Sequence, residues 1–393
     1  MIVLVANLGS TSFKYKLFDM STGEAVIAHG AADRIGRSVS DWSFTAGNDA
    51  PISGSSPLAD HAAAIDLHLK LLSEHGVIKN LDDVEAIGFK AVHGGPLDVA
   101  RVDAQVLSVM EQFSDVAPAH NPPYIAAMRA FAQRMPHVPQ VAAFETAFHR
   151  TIPLRRQAYV ILHEWTEKLE IRRYGFHGAS HRYIATRMAE IDPKVKKIIS
   201  CHLGGSCSVC AIADGKSVAN SFGMTAQSGI PHATRTGDFD AFAILKLLQS
   251  GLSLETVWKK LGSQSGLLGA SGVSSDCREV QQAAAAGNGR ARLAMEIFVE
   301  AVRHYIGAYL AVLNGAQAIV LTGGIGQNAA DIRAAILGGL EFAGIVLDAG
   351  ANQKARGEAR IDAAGSRVQL WVLPTNEELI VARQTLGVLK GAA

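Results

Sequence analysis

Asn7-Leu8-Gly9-Ser10-Thr11-Ser12 and His202-Leu203-Gly204-Gly205-Ser206-Cys207 are the stretches of this sequence best suited to holding an anion. Each combines glycine with small side chains, so backbone N–H groups can converge on a ligand with little obstruction. Each follows an apolar run (Ile2 to Val5, Lys197 to Cys201) and precedes another (Phe13 to Phe18, Ser208 to Ala213), with a turn beyond it. The two segments align without a gap from Asn7/His202 to Asp19/Asp214, and Leu8/Leu203 and Gly9/Gly204 are identical pairs. This pattern predicts two related β-hairpins whose turns cradle phosphate-like oxygens. Two unrelated hairpins are the plainer reading, which the shared spacing disfavours.

A third glycine cluster follows the apolar run Ala318 to Thr322. Gly323-Gly324-Ile325-Gly326-Gln327-Asn328 leads into a helix expected over Ala329 to Leu337. Gly324 to Ala329 fits G-x-G-x-x-A, but the motif sits late in the chain and Asp348 lies only loosely where its acidic partner belongs. Close backbone approach to a nucleotide remains the natural use of these glycines. Gly215-Lys216-Ser217 resembles the end of a P-loop, yet Cys210 stands where the first glycine belongs. Cys207 and Cys210 form a C-x-x-C on an expected strand, where residues three apart point to opposite faces, so the two sulfurs should diverge.

The elements that must position these turns are strands alternating with helices, the pattern of an α/β chain. Pro122-Pro123 can open a helix, Ser180 can cap another, a long helix spans about Arg290 to Leu313, and Thr375-Asn-Glu-Glu378 reads as a capping box before Leu379 to Leu389. At 393 residues the chain is long enough for two domains. The net charge of +1 gives no electrostatic case for a nucleic-acid or membrane-surface partner. No run approaches the roughly 18 apolar residues of a spanning helix. The N-terminus has no basic leader, and four cysteines do not make a disulfide framework, so the expected location is cytoplasmic.

In order along the chain stand Asn7-Leu-Gly-Ser-Thr-Ser-Phe-Lys14, Val92-His-Gly-Gly95, His120-Asn-Pro-Pro123, Phe144-Glu-Thr-Ala-Phe-His149 and Tyr174-Gly-Phe-His177-Gly. They are followed by Cys201-His-Leu-Gly204, Thr234-Arg-Thr-Gly-Asp238, Gly272-Val-Ser-Ser-Asp276, Gly323-Gly-Ile-Gly-Gln-Asn328 and Pro374-Thr-Asn-Glu-Glu378. This ordered series resembles the acetate kinases, in the superfamily of actin, Hsp70 and the sugar kinases. The resemblance implies two duplicated actin-like, ribonuclease H-like domains with a cleft between them. The first would span 1–149, completed by the C-terminal helix 378–393. The second, 150–377, would carry the nucleotide site and the dimer interface of a homodimer. It implies transfer of a phosphoryl group from ATP, with Mg2+ or Mn2+, to acetate or propionate, reversibly regenerating ATP from ADP. A phosphotransferase acting on another short acid or on polyphosphate is one alternative. A nucleotide-binding relative without turnover is another.

Four positions depart from the family's pattern: Lys90 replaces Arg, Glu145 replaces Asp, Gly205 replaces Asn, and Cys277 replaces Phe in Asp-Phe-Arg. A carboxylate acceptor is already ionised at neutral pH, so no general base is needed. The work is to bring two anions together and to stabilise charge on the moving phosphoryl group. On the resemblance, Arg235 pairs with the substrate or phosphoryl oxygens, Lys90 supplies a second cation, and His177 and His202 donate to the phosphoryl group. Glu145, Asn7 and Glu377 fall at the metal, and Ser10, Ser12 and Lys14 line the phosphate path together with Gly204 and Gly205. Gly324, Gly326 and Asn328 approach the adenosine, with Asp276 and Arg278 around base and ribose. If Lys90 and Glu145 meet, the shorter cation is offset by the longer carboxylate.

Overall fold

The structure, a computed structural model, describes residues 1–391. The chain divides into two units, Met1–Arg150 with the C-terminal segment from Asn376, and Thr151–Thr375. Each is built around one sheet.

The first unit contains β1 (Ile2–Gly9), β2 (Ser12–Asp19), β3 (Ala25–Asp33), β4 (Ser40–Ala46), β5 (Ile52–Ser56), β6 (Ala86–Ala91), β7 (Ala100–Arg101) and β8 (Gln140–Phe144). Their order across the sheet is β5-β4-β3-β2-β1-β6-β8-β7. The second unit contains β9 (Lys197–Leu203), β10 (Cys207–Ala213), β11 (Lys216–Asn220), β12 (Ala318–Thr322), β13 (Ala359–Arg360) and β14 (Gln369–Val372), in the order β11-β10-β9-β12-β14-β13. Both sheets share one plan. Three antiparallel strands (β3-β2-β1, β11-β10-β9) continue into two parallel ones (β6-β8, β12-β14). The duplication read from two hairpins therefore extends to the order and direction of five strands.

Strand faces follow from the alternation of side chains. In β1, Leu4, Ala6 and Leu8 enter the main core of the first unit. Val3 and Val5 face the other way, against Val381 and Ala382 of the helix Glu377–Leu389. Gly88 in β6 lies against Val381 and Thr385 of that helix, and a side chain there would displace it. In the second unit Ile199, Cys201 and Leu203 of β9 enter the core with Phe298, Val302 and Ile306 of the helix Gly289–Leu313. The parallel strands β8 and β12 are buried at every residue, as strands covered on both faces must be.

Local expectations shift in four places. The helix expected to begin at Ala329 is preceded by another short one, Gly323–Asn328, so the glycine cluster is itself helical and the dinucleotide-loop reading fails. Ser180 does not cap a helix. The helix Gly178–Ile191 begins after His177, and Ser180 Oγ bonds His202 Nδ1 at 2.8 Å. The cap of the C-terminal helix is Asn376, whose side chain accepts from Leu379 N at 3.2 Å, and Glu378 instead meets Lys16 at 3.4 Å. Finally, the two hairpins differ in register. Gly9 pairs with Ser12 across a two-residue turn, whereas Leu203 pairs with Cys207 across three residues. Asn7 thus faces Lys14, while His202 faces Ser208. The gapless alignment holds up to the turns and slips by one position beyond them.

The first core buries a histidine. His68 packs against Tyr15 and Phe13 at ring-centroid distances of 5.1 and 5.7 Å, and burial pushes its pKa down to about 4. The folded state therefore holds the neutral ring. The stability this contributes is complete above the unfolded value of about 6.5, and it is lost as pH falls toward 4. Thermal melting between pH 7 and 4 should show a loss of up to roughly 3 kcal/mol that His68→Phe does not share. Equal acid sensitivity in both proteins would rule out His68 as its source.

Candidate active site

In the first unit the chemistry gathers where β1, β6 and β8 end. Asn7 continues the Val3–Val5 face of β1, Lys90 follows Gly88 on the same face of β6, and Glu145 follows β8, its N–H bonded to Ala91 O at 2.9 Å. The helix Glu377–Leu389 covers this face and delivers Glu377 from its first turn, so Glu377 belongs to the first unit. Lys90 Nζ lies 2.6 Å from Glu377 Oε2 and 3.3 Å from Glu145 Oε1. All three side chains are largely buried. Burial alone would lower the lysine pKa. The carboxylates of Glu377 and Glu145 outweigh it and hold the ammonium well above its ordinary value. The pairing posed by the two departures from family pattern is therefore present.

Tyr124 completes this cluster and was not singled out from sequence. Its hydroxyl accepts from Leu8 N at 2.9 Å and donates to Asn7 Oδ1 at 3.3 Å, fixing the strand end and the amide together. The available signal was its place directly after Pro122-Pro123, on the first turn of the helix Asn121–Arg134. Ser10 is exposed and Ser12 half-buried at the turn, and Lys14 extends from the exposed face of β2.

In the second unit His202 lies near the end of β9 as Asn7 lies near the end of β1. His177 precedes the helix Gly178–Ile191 with φ +57° and ψ +33°. A histidine held in the left-handed region is uncommon, and such strain tends to be retained where a side chain must be aimed. The two imidazoles lie tilted by 31° to each other with centroids 4.2 Å apart. His177 Nδ1 meets Ser208 Oγ at 2.8 Å. Arg235 lies in the loop after β11. Its guanidinium is mostly buried, which lowers its pKa, and it donates through Nη1 to Ala226 O at 2.5 Å.

A cavity of about 620 Å³ in the same unit is lined by Gly204, Gly205, Asp276, Arg278, Gly324 and Asn328, among others. Six residues picked from three separate stretches of the sequence thus line one cavity. Gly326 is not among them. It packs on Leu321 of β12, and its carbonyl accepts from the buried Arg333 at 3.0 Å. Arg333 carried no motif and went unrecognised. Asp276 caps the helix Cys277–Ala285 and accepts from the backbone N–H of Arg278 at 2.8 Å. The Arg278 guanidinium binds it too, holding the Asp276 carboxyl down at about 2. Cys207 Sγ meets Gly204 O, whereas Cys210 Sγ meets Ser217 Oγ on the other face, and burial keeps both thiols up at about 12.

Duplicated sheets of this plan, an open cavity walled by glycine-rich turns, and cations and imidazoles at strand ends define a phosphotransferase of the actin and sugar-kinase class. The comparisons carry this further. The chain matches the Acetokinase family over residues 2–383 and belongs to it. It is 43% identical to an acetate kinase of Dictyoglomus turgidum, covering 99% of this chain and 98% of that one, and 43% identical to an acetate kinase of Phocaeicola vulgatus. The crystal structure of Porphyromonas gingivalis acetate kinase matches with a TM-score of 0.91 at 36% identity, covering 99% of each chain. A propionate kinase from Francisella tularensis matches with a TM-score of 0.92 at 35% identity, over 98% of this chain and 99% of that one.

The lysine triad yields a direct test. Lys90→Arg and Glu145→Asp should each lower kcat/KM, because each alone mismatches the length of the pair. The double variant should recover, with a coupling of about 1 kcal/mol or more in the mutant cycle. Additive or silent single changes would show that the two side chains are not matched to one another.

Proposed function

We propose that this protein transfers the γ-phosphoryl group of ATP to acetate, with propionate as the alternative short acid, and runs the reverse reaction to form ATP. The observation that carries this is the buried Lys90–Glu145–Glu377 cluster at the strand ends of the first unit, in a chain that also presents His177, His202 and Arg235 in the second. Glu145 and Glu377 are engaged by Lys90, and a carboxylate acceptor needs no base. The residues instead supply cations and neutral donors, which a transferring phosphoryl group needs for charge stabilisation.

Arg235 provides a guanidinium fork for two oxygens of substrate or phosphoryl group, and its partial burial strengthens that contact. Lys90 is a compact point charge and can bind only one oxygen well, where an arginine could bind two. His177 and His202 present ring nitrogens as donors. The 620 Å³ cavity is the nucleotide site, with Gly204 and Gly205 free of side chains that would block phosphates and Asp276 and Arg278 at its far wall.

Mg2+ fits the donor set. Glu377, Glu145 and the Asn7 amide are hard oxygen ligands, few in number, as suits an ion that keeps waters and substrate phosphates in its shell. When bound, the ion would neutralise phosphate charge. Lys90 holds Glu377 and Glu145 ionised and in place for it. Among the described residues no helix is long and apolar enough to cross a membrane, which supports a cytoplasmic location. Leu154, Val160, Leu162 and Trp165, with Phe242 and Trp258, are exposed apolar side chains of the second unit, and they support a homodimer formed through it.

Purified protein with MgATP and hydroxylamine should give acyl hydroxamate from acetate or propionate, and Arg235→Ala should lower kcat by about 10²–10³-fold. ATP binding without product from formate, acetate, propionate or butyrate would overturn the assignment. Light scattering should give twice the 41.6 kDa chain mass, and Trp165→Asp with Phe242→Asp should give the monomer. A monomeric parent protein would refute the dimer.

A further inference from the structure

Behind His177 runs a continuous chain of hydrogen bonds. His177 Nδ1 and Ser208 Oγ are 2.8 Å apart, Ser208 Oγ and His181 Nε2 2.9 Å, and His181 Nδ1 and Ser200 Oγ 2.9 Å. Ser208, His181 and Ser200 are fully buried. The geometry is set by backbone periodicity. His177 is the left-handed residue just before the helix and His181 lies in its first turn, with the His181 N–H bonded to His177 O at 2.9 Å and the ring centroids 6.4 Å apart. Ser200 and Ser208 share a face of the β9–β10 hairpin, because the three-residue turn pairs Ser208 with His202. With the gapless register the hairpin would present Val209 there instead.

Each hydroxyl carries one proton, and each neutral imidazole carries one N–H. With both rings neutral, the chain can run in only two senses. In the outward sense Ser200 donates to His181 Nδ1, His181 Nε2 donates to Ser208, and Ser208 donates to His177 Nδ1. The proton of His177 is then on Nε2. In the inward sense every bond reverses, His177 donates through Nδ1, and its Nε2 presents a lone pair. Two imidazolium rings at the 4.2 Å separation of His177 and His202 would repel each other, which disfavours charging both at once.

We propose that Ser208 and His181 are positioning residues that run the chain outward and hold His177 as the Nε2–H tautomer, a neutral donor to the transferring phosphoryl group. The proposal rests on the phosphoryl-transfer reading above, because it is an anion at His177 that excludes the lone-pair form. No proton is gained or lost: every member of the chain keeps one, and only its direction is fixed. Without Ser208 the ring could present either nitrogen state, and only one of the two donates.

Protein labelled with 15N-histidine reports the tautomer of each ring through long-range 1H–15N correlations. At pH 8 with MgATP, His177 should be the Nε2–H form in the parent protein. Ser208→Ala should admit the Nδ1–H form and lower kcat by about 10–100-fold, while KM for ATP and for the carboxylate moves little. His181→Gln, whose amide nitrogen can donate where Nε2 did, should keep both tautomer and rate. His181→Phe should lose both. Melting curves establish that each variant is folded, and Ser208→Ala decides the matter alone if His181→Phe is not. A parent His177 in the Nδ1–H form, or a tautomer unchanged in Ser208→Ala, overturns the proposal. If the parent makes no acyl phosphate, the function above fails, and the tautomer measurement still decides the chain.

Discussion

Parallel strands buried on both faces must stop hydrogen bonding somewhere, and in each unit the chemistry sits where they stop. Asn7 and Lys90 lie near the C-terminal ends of β1 and β6, and Glu145 directly follows β8. His202 is the next-to-last residue of β9, beside the turn of Gly204 and Gly205 and the helix that starts at Gly323. Interior strand positions are committed to core packing and cannot carry a charge without cost. Strand ends can, provided the charges are paired. Lys90 meets this condition by lying within 3.3 Å of both Glu145 and Glu377. Removing the lysine would leave two carboxylates buried together, whereas removing either glutamate would leave a one-to-one ion pair.

The second unit solves the same problem with neutral groups. His202 and His177 bond the hydroxyls of Ser180 and Ser208. A carboxylate behind a ring favours its cationic form, whereas a hydroxyl adds no charge and fixes the ring's orientation. The pair of hairpins that first suggested an anion site is thus not symmetric in chemistry. One brings an amide and a lysine onto its face, and the other an imidazole and a serine.

Much of this was legible because it depends on short-range pattern. Hairpins, the buried strand Ala318–Thr322, the helix opened by Pro122-Pro123 and the long helix ending at Leu313 follow from apolar periodicity and turn residues. The cavity wall was readable through glycine, since backbone approach to a ligand requires it at particular turns. Gly326 differs from its neighbours: it lies in the helix Gly323–Asn328, its missing side chain admits Leu321 of β12, and it is not in the cavity lining, and the two uses of glycine leave the same letter. Tyr124, Arg333, Ser180 and Ser208 were not legible as site or support residues. Their roles arise from contacts such as Tyr124 with Asn7, 117 positions apart, and no local pattern encodes those.

The sequence by itself determined the α/β class, the duplication, the family and the set of residues able to do phosphoryl chemistry, because these follow from periodicity, turn chemistry and ordered motifs. Only the tertiary structure decided that Lys90 lies against two carboxylates, that Glu377 joins the first unit, and that the second hairpin shifts its register. A register is fixed by how many residues close a turn in three dimensions, and a single position moves every later side chain to the other face. That one-residue shift is what sets Ser208, rather than Val209, behind His177.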